Sequence, residues 1–303
     1  MTTRSRGIAL AGVTALISGV AVYVNGFGVA AYGDATAYTT AKNAAAACVI
    51  ALVFVVARRS AGAGSVAFTR PTRPGHRWGL LCVAVLGGAV PFVLFFQGLA
   101  TTASSQAAFL HKTLVVWVAL IAVVALKERL TWWHLGAIAL LMIAQWGLAG
   151  DVALVADPGT LLIAGATLLW AVEVVVSKRL LSDLTPWTLS LTRMVGGSVA
   201  LLVWSAVTGR LGSVIPSTAD QWAWVALTGV LLAGYVLTWH QALARAQAVD
   251  VTAVLVLGAL VTAILAGAID AAPLAARAPW LLILALGGAL VWLAPRLPGR
   301  AVT

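Results

Sequence analysis

The chain has 303 residues, of which 62% are hydrophobic and 9% are charged, and its formal net charge is +10 at pH 7. Soluble domains carry about 25% charged residues, so the composition excludes an ordinary soluble domain and indicates many membrane-spanning segments. The basic residues lie between hydrophobic runs rather than in one patch, which argues against nucleic-acid binding.

Charged residues, glycines and prolines divide the chain into ten predicted transmembrane helices, each close to the ~20 residues that a bilayer core requires. The predicted helices are 7–31, 36–57, 78–99, 103–126, 134–150, 159–177, 185–208, 222–243, 251–270 and 279–294. We interpret the first as a retained span, because its apolar run is long and lacks a convincing cleavage site. The predicted fold class is therefore an all-α polytopic membrane protein.

Lysine and arginine in the connectors predict the orientation. If the N-terminus lies inside, only Arg210 and Arg277 of the 19 basic residues fall in outer connectors, and three lie within predicted helices. The rest fall on the cytoplasmic side, as the positive-inside rule requires. The sequence thus predicts a multi-pass protein of the inner (plasma) membrane with both termini in the cytoplasm.

The chain also repeats itself. "FFQGLATTASSQAA" (95–108) is similar to "TWHQALARAQAVDV" (238–251), and "TTAKNAAAACVIAL" (39–52) aligns with "SLTRMVGGSVALLV" (190–203). This divides the chain into two five-helix repeats, residues 1–150 and 151–303. Because five is odd, the second repeat enters the membrane from the opposite side. Secondary transporters use such inverted repeats, and their sites lie near the midplane between the halves.

Three segments carry a family resemblance: "GLATTASSQAAFL", "LKERLTWWHLGAIALLMIAQWGL" and "LLWAVEVVVSKRL". In this order over two repeats, the chain resembles the ten-helix EamA-type bacterial exporters of the drug/metabolite transporter superfamily. Glu128 matches the acidic position that the family has after its fourth helix. The chain departs from the family where Lys42 replaces an arginine, where "HKTLVV" replaces a proline-containing stretch, and where the ninth helix ends in "AIDAAPL".

Lys112 is the most central ionisable residue of the predicted helices. It lies about nine residues into its helix, or roughly 14 Å from the outer boundary at about 1.5 Å per residue. A charge at this depth costs roughly 2.5–3.5 kcal/mol on insertion scales, so it usually faces a cavity or a partner. We predict that Lys112 lines a transport cavity; the alternative is a structural pairing. His111 lies about 100° around the helix and is expected to face elsewhere.

Glu173 and Arg193 lie at similar depths on consecutive helices. They form either a structural ion pair or a proton or substrate site, and Glu173 is the only carboxylate that the sequence places deep. Lys42 and Asn25 are at comparable depths near the outer side. They line an outer vestibule together, or Lys42 extends toward the headgroups.

Aromatic residues supply the remaining candidates. Trp170, three residues before Glu173, forms either a wall beside the carboxylate or core packing. Phe92 and Phe96 follow Pro91 at a spacing of four, and they form either a cavity wall or a lipid-facing surface. His240 is expected to be an interfacial histidine.

These residues predict a secondary transporter that exports a small organic metabolite or drug-like solute by alternating access. Three deep basic residues against one acid favour a zwitterionic or carboxylate-bearing solute. The GxxxxGK[ST] and HExxH motifs are absent, so we predict no enzyme activity, no cofactor and no metal. The expected partners are the solute and the lipid bilayer, with the chain a monomer or homodimer. Two alternatives stay open: import rather than export of the solute, and a non-transporting membrane protein, either a scaffold or a lipid-modifying enzyme.

Overall fold

The computed structural model describes residues 2–60, 66–102, 104–150, 157–270, 274–294 and 301–302. Within these residues ten helices are long and apolar enough to cross a membrane. We label them α1 (Thr3–Tyr32), α2 (Ala35–Ser60), α3 (Pro74–Leu99), α4 (Gln106–Ala125), α5 (Trp132–Ala149), α6 (Pro158–Leu180), α7 (Pro186–Val207), α8 (Ala219–Leu243), α9 (Ala248–Ile269) and α10 (Leu274–Leu293). The predicted all-α, ten-helix architecture is confirmed.

Two short strands, β1 (Leu130–Thr131) and β2 (Ala301–Val302), pair antiparallel, and a short helix (Leu211–Val214) lies between α7 and α8. The helix limits differ most from prediction in α10, which begins at Leu274, so that Pro279 lies inside it. Proline usually opens a helix, which is why the predicted start was 279. One missing N–H close to the helix start removes a single backbone hydrogen bond, and the helix accommodates it.

Four spans are interrupted. Five-residue π-helical segments replace regular α-helix at Val83–Gly87 in α3 and at Thr192–Gly196 in α7. In α4 the helix breaks at Thr113, and in α9 it breaks at Leu257. Single π-helical turns are frequent at functional sites. The sequence analysis did not predict these interruptions.

The packing follows the two repeats. The first helix of each repeat lies along the third helix of the other, so α1 packs on α8 and α6 packs on α3. Likewise α1 contacts α9 as α6 contacts α4, and α5 pairs with α10. The offset that aligns Gln97 with Gln241 also aligns the helix breaks at Thr113 and Leu257. The two inverted five-helix repeats are therefore confirmed as the architecture.

We call the end of the bundle where α1 begins the proximal end, and the end where α1 terminates the distal end. At the proximal end a Cβ on Gly7 would lie 2.8 Å from the Cβ of Ala246. At the distal end a Cβ on Gly159 would lie 2.3 Å from the hydroxyl oxygens of Thr101 and Thr102. Glycine at these two positions lets the loop between the third and fourth helices of one repeat contact the first helix of the other.

A buried charged cluster holds the proximal end together. Asp250, in the first turn of α9, is fully buried, and its carboxylate lies 2.8 Å from an Arg4 guanidinium nitrogen. His134 Nε2 lies 3.4 Å from the other Asp250 oxygen. Asp250 lies at the proximal end of α9, just before the predicted span 251–270, and contacts with α1 and α5 cover it. This burial was not predicted from the sequence.

Two further side chains at the proximal end form hydrogen bonds with backbone groups at helix ends. Glu128 accepts hydrogen bonds from the backbone N–H groups of Ala248 at 2.7 Å and Val249 at 3.3 Å, and so caps the start of α9. Lys178 donates to the carbonyl oxygens of Leu243 and Ala246, both at 2.7 Å, near the end of α8. The ends of α4, α6, α8 and α9 are thereby tied to one another.

Candidate functional site

A central cavity of about 200 Å³ lies between the repeats, and eight spans contribute to its wall. Six of the seven predicted site residues line it: Asn25, Lys42, Lys112, Trp170, Glu173 and Arg193. The structure thus brings together residues that the sequence separates by up to 168 positions. Phe96, the seventh, lies elsewhere.

Glu173 and Arg193 form the predicted ion pair inside this cavity. Arg193 Nη1 lies 3.8 Å from Glu173 Oε2, and both side chains are at least nine-tenths buried. The Ser177 hydroxyl donates to the Glu173 carboxylate at 2.7 Å. Arg193 also donates from Nε and Nη2 to the Gly87 carbonyl oxygen, at 3.3 and 3.2 Å. The guanidinium is therefore shared between a carboxylate and the end of the π-helical segment in α3.

Glycines allow α3 and α7 to meet beside this pair. A Cβ on Gly88 would lie 2.5 Å from the Arg193 carbonyl oxygen, and a Cβ on Gly197 would lie 2.5 Å from the Gly88 Cα. A Cβ on Gly87 would approach the Glu173 side chain to 2.9 Å. The two π-helical segments and their glycines position the ion pair at the cavity wall.

Lys42 belongs to a second polar cluster in the wall of the cavity. Its ammonium donates to Asn25 Oδ1 at 3.2 Å and lies 5.2 Å from the centre of the Tyr38 ring. The Tyr38 hydroxyl is 2.9 Å from Asn25 Oδ1 and 2.8 Å from the Thr228 hydroxyl. Lys42 is only 6% exposed, so extension toward the headgroups is wrong. Lys42 and Asn25 lie together at the central cavity, and their placement in an outer vestibule stays a prediction.

Lys112 lies at the break in α4, and within the described part of the chain its ammonium has no hydrogen-bond or ion-pair partner. A pairing with an acid or with helix carbonyls is therefore not observed. His111 lines the same cavity, contrary to expectation. The cavity wraps around α4, so two residues about 100° apart both reach it. The Thr113 hydroxyl donates to the Leu110 carbonyl at 2.6 Å at the break.

Aromatic rings form much of the remaining wall. The His111 and Phe92 rings lie edge-on to Trp170, with centroids 4.9 and 5.3 Å away. The indole N–H groups of Trp170 and Trp239 and the His111 Nδ1 are buried and have no partner among the described residues. Buried polar groups are normally hydrogen-bonded, so these three groups are available to a water molecule or a ligand at the cavity.

Phe96 lines a different space, a distal vestibule of about 640 Å³ that also includes Gln97 and Trp204. Arg210 and Asp34 border it, with their charged groups 3.8 Å apart. Phe92 and Phe96 therefore do not form one cavity wall. Phe92 lines the central cavity, and Phe96 lines the distal vestibule.

Sequence analysis missed the contribution of α8. Thr228, Leu232, Tyr235 and Trp239 line the central cavity at spacings of four, three and four residues, which is one face of a helix. That spacing was a usable signal. His240 is fully buried in the last turn of α8, and its Nδ1 lies 2.9 Å from the Ser190 hydroxyl.

Ten spans in two inverted repeats around a cavity with ionisable walls define a membrane protein of the transporter type. A model of the EamA-like transporter family matches residues 5–149 and 157–294. The chain therefore belongs to the EamA-like transporter family, within the drug/metabolite transporter superfamily. The resemblance stated from the sequence motifs is confirmed.

Among solved structures, one crystal structure described only as that of a protein shares the fold with a TM-score of 0.78 at 18% sequence identity. The match covers 97% of this chain and 100% of the other. At this identity the likeness concerns the fold alone. No curated protein matches the sequence.

Proposed function

We propose that the protein is a secondary transporter of the inner (plasma) membrane that exports a small carboxylate-bearing or zwitterionic solute by alternating access. The observation that carries the proposal is the central cavity, where Lys42, Lys112 and Arg193 face a single carboxylate, Glu173. In a medium of low dielectric constant this excess of positive charge attracts a solute carboxylate strongly.

The individual partners support the same solute class. Glu173 engages Arg193, and Lys42 engages Asn25, whereas the Lys112 ammonium has no partner among the described residues. A solute carboxylate would supply the acceptor that this ammonium and the nearby indole N–H groups lack. Drug-sized ligands occupy pockets of about 300–1,000 Å³. The central cavity holds about 200 Å³, which favours a small metabolite.

Alternating access requires that the two ends of the bundle open in turn. The proximal end is closed by contacts such as Arg4 with Asp250 and Glu128 with the start of α9, while the distal end holds the larger vestibule. The proposed transport cycle breaks the proximal contacts when the cavity opens to that side. Export as the direction follows from the resemblance to bacterial exporters.

The driving force in this proposal is an ion gradient or the solute gradient itself, because the sequence has no phosphate-binding GxxxxGK[ST] motif. Glu173 is the carboxylate that lines the central cavity, so it is the candidate proton carrier. The Ser177 hydroxyl and the Arg193 guanidinium are the groups that contact this carboxylate.

The test is solute uptake into proteoliposomes that contain the purified protein, with a monocarboxylate, a zwitterion and a primary amine of matched size as competitors. We expect Lys112→Met to fold normally, to weaken carboxylate transport at least tenfold, and to shift the preference toward neutral or cationic solutes. Lys112→Arg should retain part of the activity because it keeps the charge in a bulkier group.

Arg210→Met is the matched control, because it removes a cation that is exposed at the distal vestibule. We expect it to leave the charge preference unchanged. Unchanged affinity and charge preference in Lys112→Met would place this lysine outside the transport pathway and refute the assigned role.

A further inference from the structure

A second cavity, which we call the side cavity, lies in the distal half of the bundle. It has a volume of about 200 Å³ and is bounded mainly by α4, α5, α9 and α10. Lys112 lines both this side cavity and the central cavity, so its side chain forms part of the wall between them. The transport mechanism proposed above makes no use of the side cavity.

Gln145, near the distal end of α5, is the most informative residue of the side cavity. It is only 6% exposed, and within the described residues its amide has no hydrogen-bond partner. An unpaired buried amide costs free energy, and native structures contain few of them. A polar ligand in the side cavity would remove this cost.

The charges around the side cavity determine which polar ligand fits. Lys112 lies at its inner end, and Arg277, four residues from the start of α10, lies at its distal end. Neither cation has an ion-pair partner among the described residues, and no described acidic side chain lines the side cavity. Two cations and a free amide in a region of low dielectric constant select for a negative charge.

We propose that the side cavity binds a small monovalent anion, either a halide or a carboxylate group, which enters past Arg277 and is held by Lys112 and the Gln145 amide. An anion of this size fits the volume together with a water molecule or a methyl group. Two kinds of ligand supply such a negative charge: a free inorganic anion from the distal side, or the carboxylate of an organic solute.

The position of Lys112 gives the side cavity a consequence for the central cavity. An anion in the side cavity neutralises the ammonium that the proposed function assigns to solute binding. Occupancy of the side cavity would therefore weaken the attraction between Lys112 and a solute carboxylate. This consequence depends on the proposed function, whereas anion binding itself does not.

Equilibrium binding of radiolabelled chloride and, separately, radiolabelled acetate to the purified full-length protein tests the proposal. We expect saturable binding of at least one probe. Gln145→Leu should weaken it about tenfold, because a hydrogen bond between a buried amide and a charged ligand is lost. Gln97→Leu is the matched control, since it makes the same change in the distal vestibule, and Lys42→Met removes a cation of the central cavity alone.

Chloride binding that is weakened by Gln145→Leu and retained in both other variants would support a free inorganic anion as the ligand. Acetate binding with the same pattern and no chloride binding would support an organic carboxylate. Absence of binding by both probes would overturn the proposal. So would binding that survives Gln145→Leu and is lost in Lys42→Met, because the anion would then occupy the central cavity.

Arg277→Gln provides a second variant if Gln145→Leu fails to fold. Arg277 is partly exposed near the start of α10, so its replacement should not disturb the core. We expect several-fold weaker probe binding, and unchanged affinity would contradict entry past Arg277. These measurements record binding to protein in detergent, so an absence of solute transport would leave their outcome intact.

Discussion

The Glu173 carboxylate has two partners, the Arg193 guanidinium at 3.8 Å and the Ser177 hydroxyl at 2.7 Å. Arg193 in turn depends on Glu173 and on the Gly87 carbonyl oxygen. Removing either charged residue leaves the other as a buried charge with only neutral partners. Variants that remove one charge at a time therefore distinguish the two interpretations made from the sequence, a structural ion pair and a proton site.

For a structural pair, we predict that Glu173→Ala and Arg193→Ala each destabilise the protein by about 3–5 kcal/mol and that the double variant recovers much of this loss. Thermal unfolding of the detergent-solubilised protein measures both effects. For a proton carrier, Glu173→Gln should fold normally, lose gradient-driven transport and keep solute exchange. Normal folding together with full gradient-driven transport in Glu173→Gln would eliminate both interpretations.

Glu128 provides a pH-dependent test outside the membrane spans. Burial raises the pKa of this carboxyl above its ordinary value of 4.5, although hydrogen bonds from Ala248 and Val249 oppose the shift. The folded protein therefore binds a proton at a higher pH than the unfolded chain does. The stabilisation that this group contributes is fully present below pH 4.5 and is lost as the pH rises through the folded-state pKa.

We therefore predict that the unfolding temperature of the wild type, relative to that of Glu128→Gln, increases as the pH falls from about 7 to about 5. Every other ionisable group occurs in both proteins, so the contribution of those groups largely cancels in the comparison. Thermal unfolding at a series of pH values provides the measurement. Parallel pH profiles for the two proteins would show that Glu128 does not titrate differently on folding.

Depth and charge identified the charged residues of the central cavity. Lys112 and Glu173 were found because an ionisable side chain inside an apolar helix needs an interior location. His111 was expected to face elsewhere because it lies about 100° around α4 from Lys112. Trp239 was missed because tryptophan is also common in lipid-facing and core positions. Assigning them to the cavity requires knowing which helices pack against them, and this depends on the tertiary structure.

At the scale of the helix, apolar runs predicted every span, with limits correct to within a few residues, because a bilayer fixes the required length. The π-helical segments were not predictable in the same way. Gly87, Gly88, Gly196 and Gly197 form glycine pairs within apolar helices, and each pair suggests close packing or a break. Only the structure shows that both glycine pairs lie where α3 crosses α7.

Gly88 provides the sharpest test of this crossing. In Gly88→Ala the new Cβ would lie 2.5 Å from the Arg193 carbonyl oxygen and 2.7 Å from the Gly197 Cα, which are backbone atoms. We expect a loss of about 1–3 kcal/mol through overpacking, with a displaced Arg193 and weaker transport. Thermal unfolding and uptake assays provide the measurements.

Gly165→Ala in α6 is the matched control, because no atom lies within 4 Å of the position that the new methyl group would occupy. Alanine has the higher helix propensity, so this change should leave stability equal or raise it by about 0.5–1 kcal/mol. Equal unfolding temperatures for the two variants would show that α3 and α7 separate readily, and that the glycine contact does not hold the ion pair in place.

For the whole molecule, the interleaving of the repeats determines the position of the central cavity. Each repeat contributes its first helix to the other, so the central cavity is built from both and belongs to neither. The proximal contacts have the same character, since Arg4 of α1 reaches Asp250 of α9. In the proposed transport cycle, a movement that separates the repeats at one end would open the path to the central cavity at that end.

The orientation of this bundle gives the last prediction. Both chain termini and the basic connectors lie on one side in the ten-span arrangement, and lysine and arginine are retained on the cytoplasmic side of inner membranes. Reporter domains fused within residues 58–77 and at the C-terminus should therefore report the cytoplasm, and a fusion between Asp151 and Asp157 should report the opposite side. The measurement pairs an enzyme active only outside the cytoplasm with a fluorescent protein that matures only inside it. A single fusion on the wrong side would contradict the predicted orientation, because the alternating directions of the spans fix all three locations together.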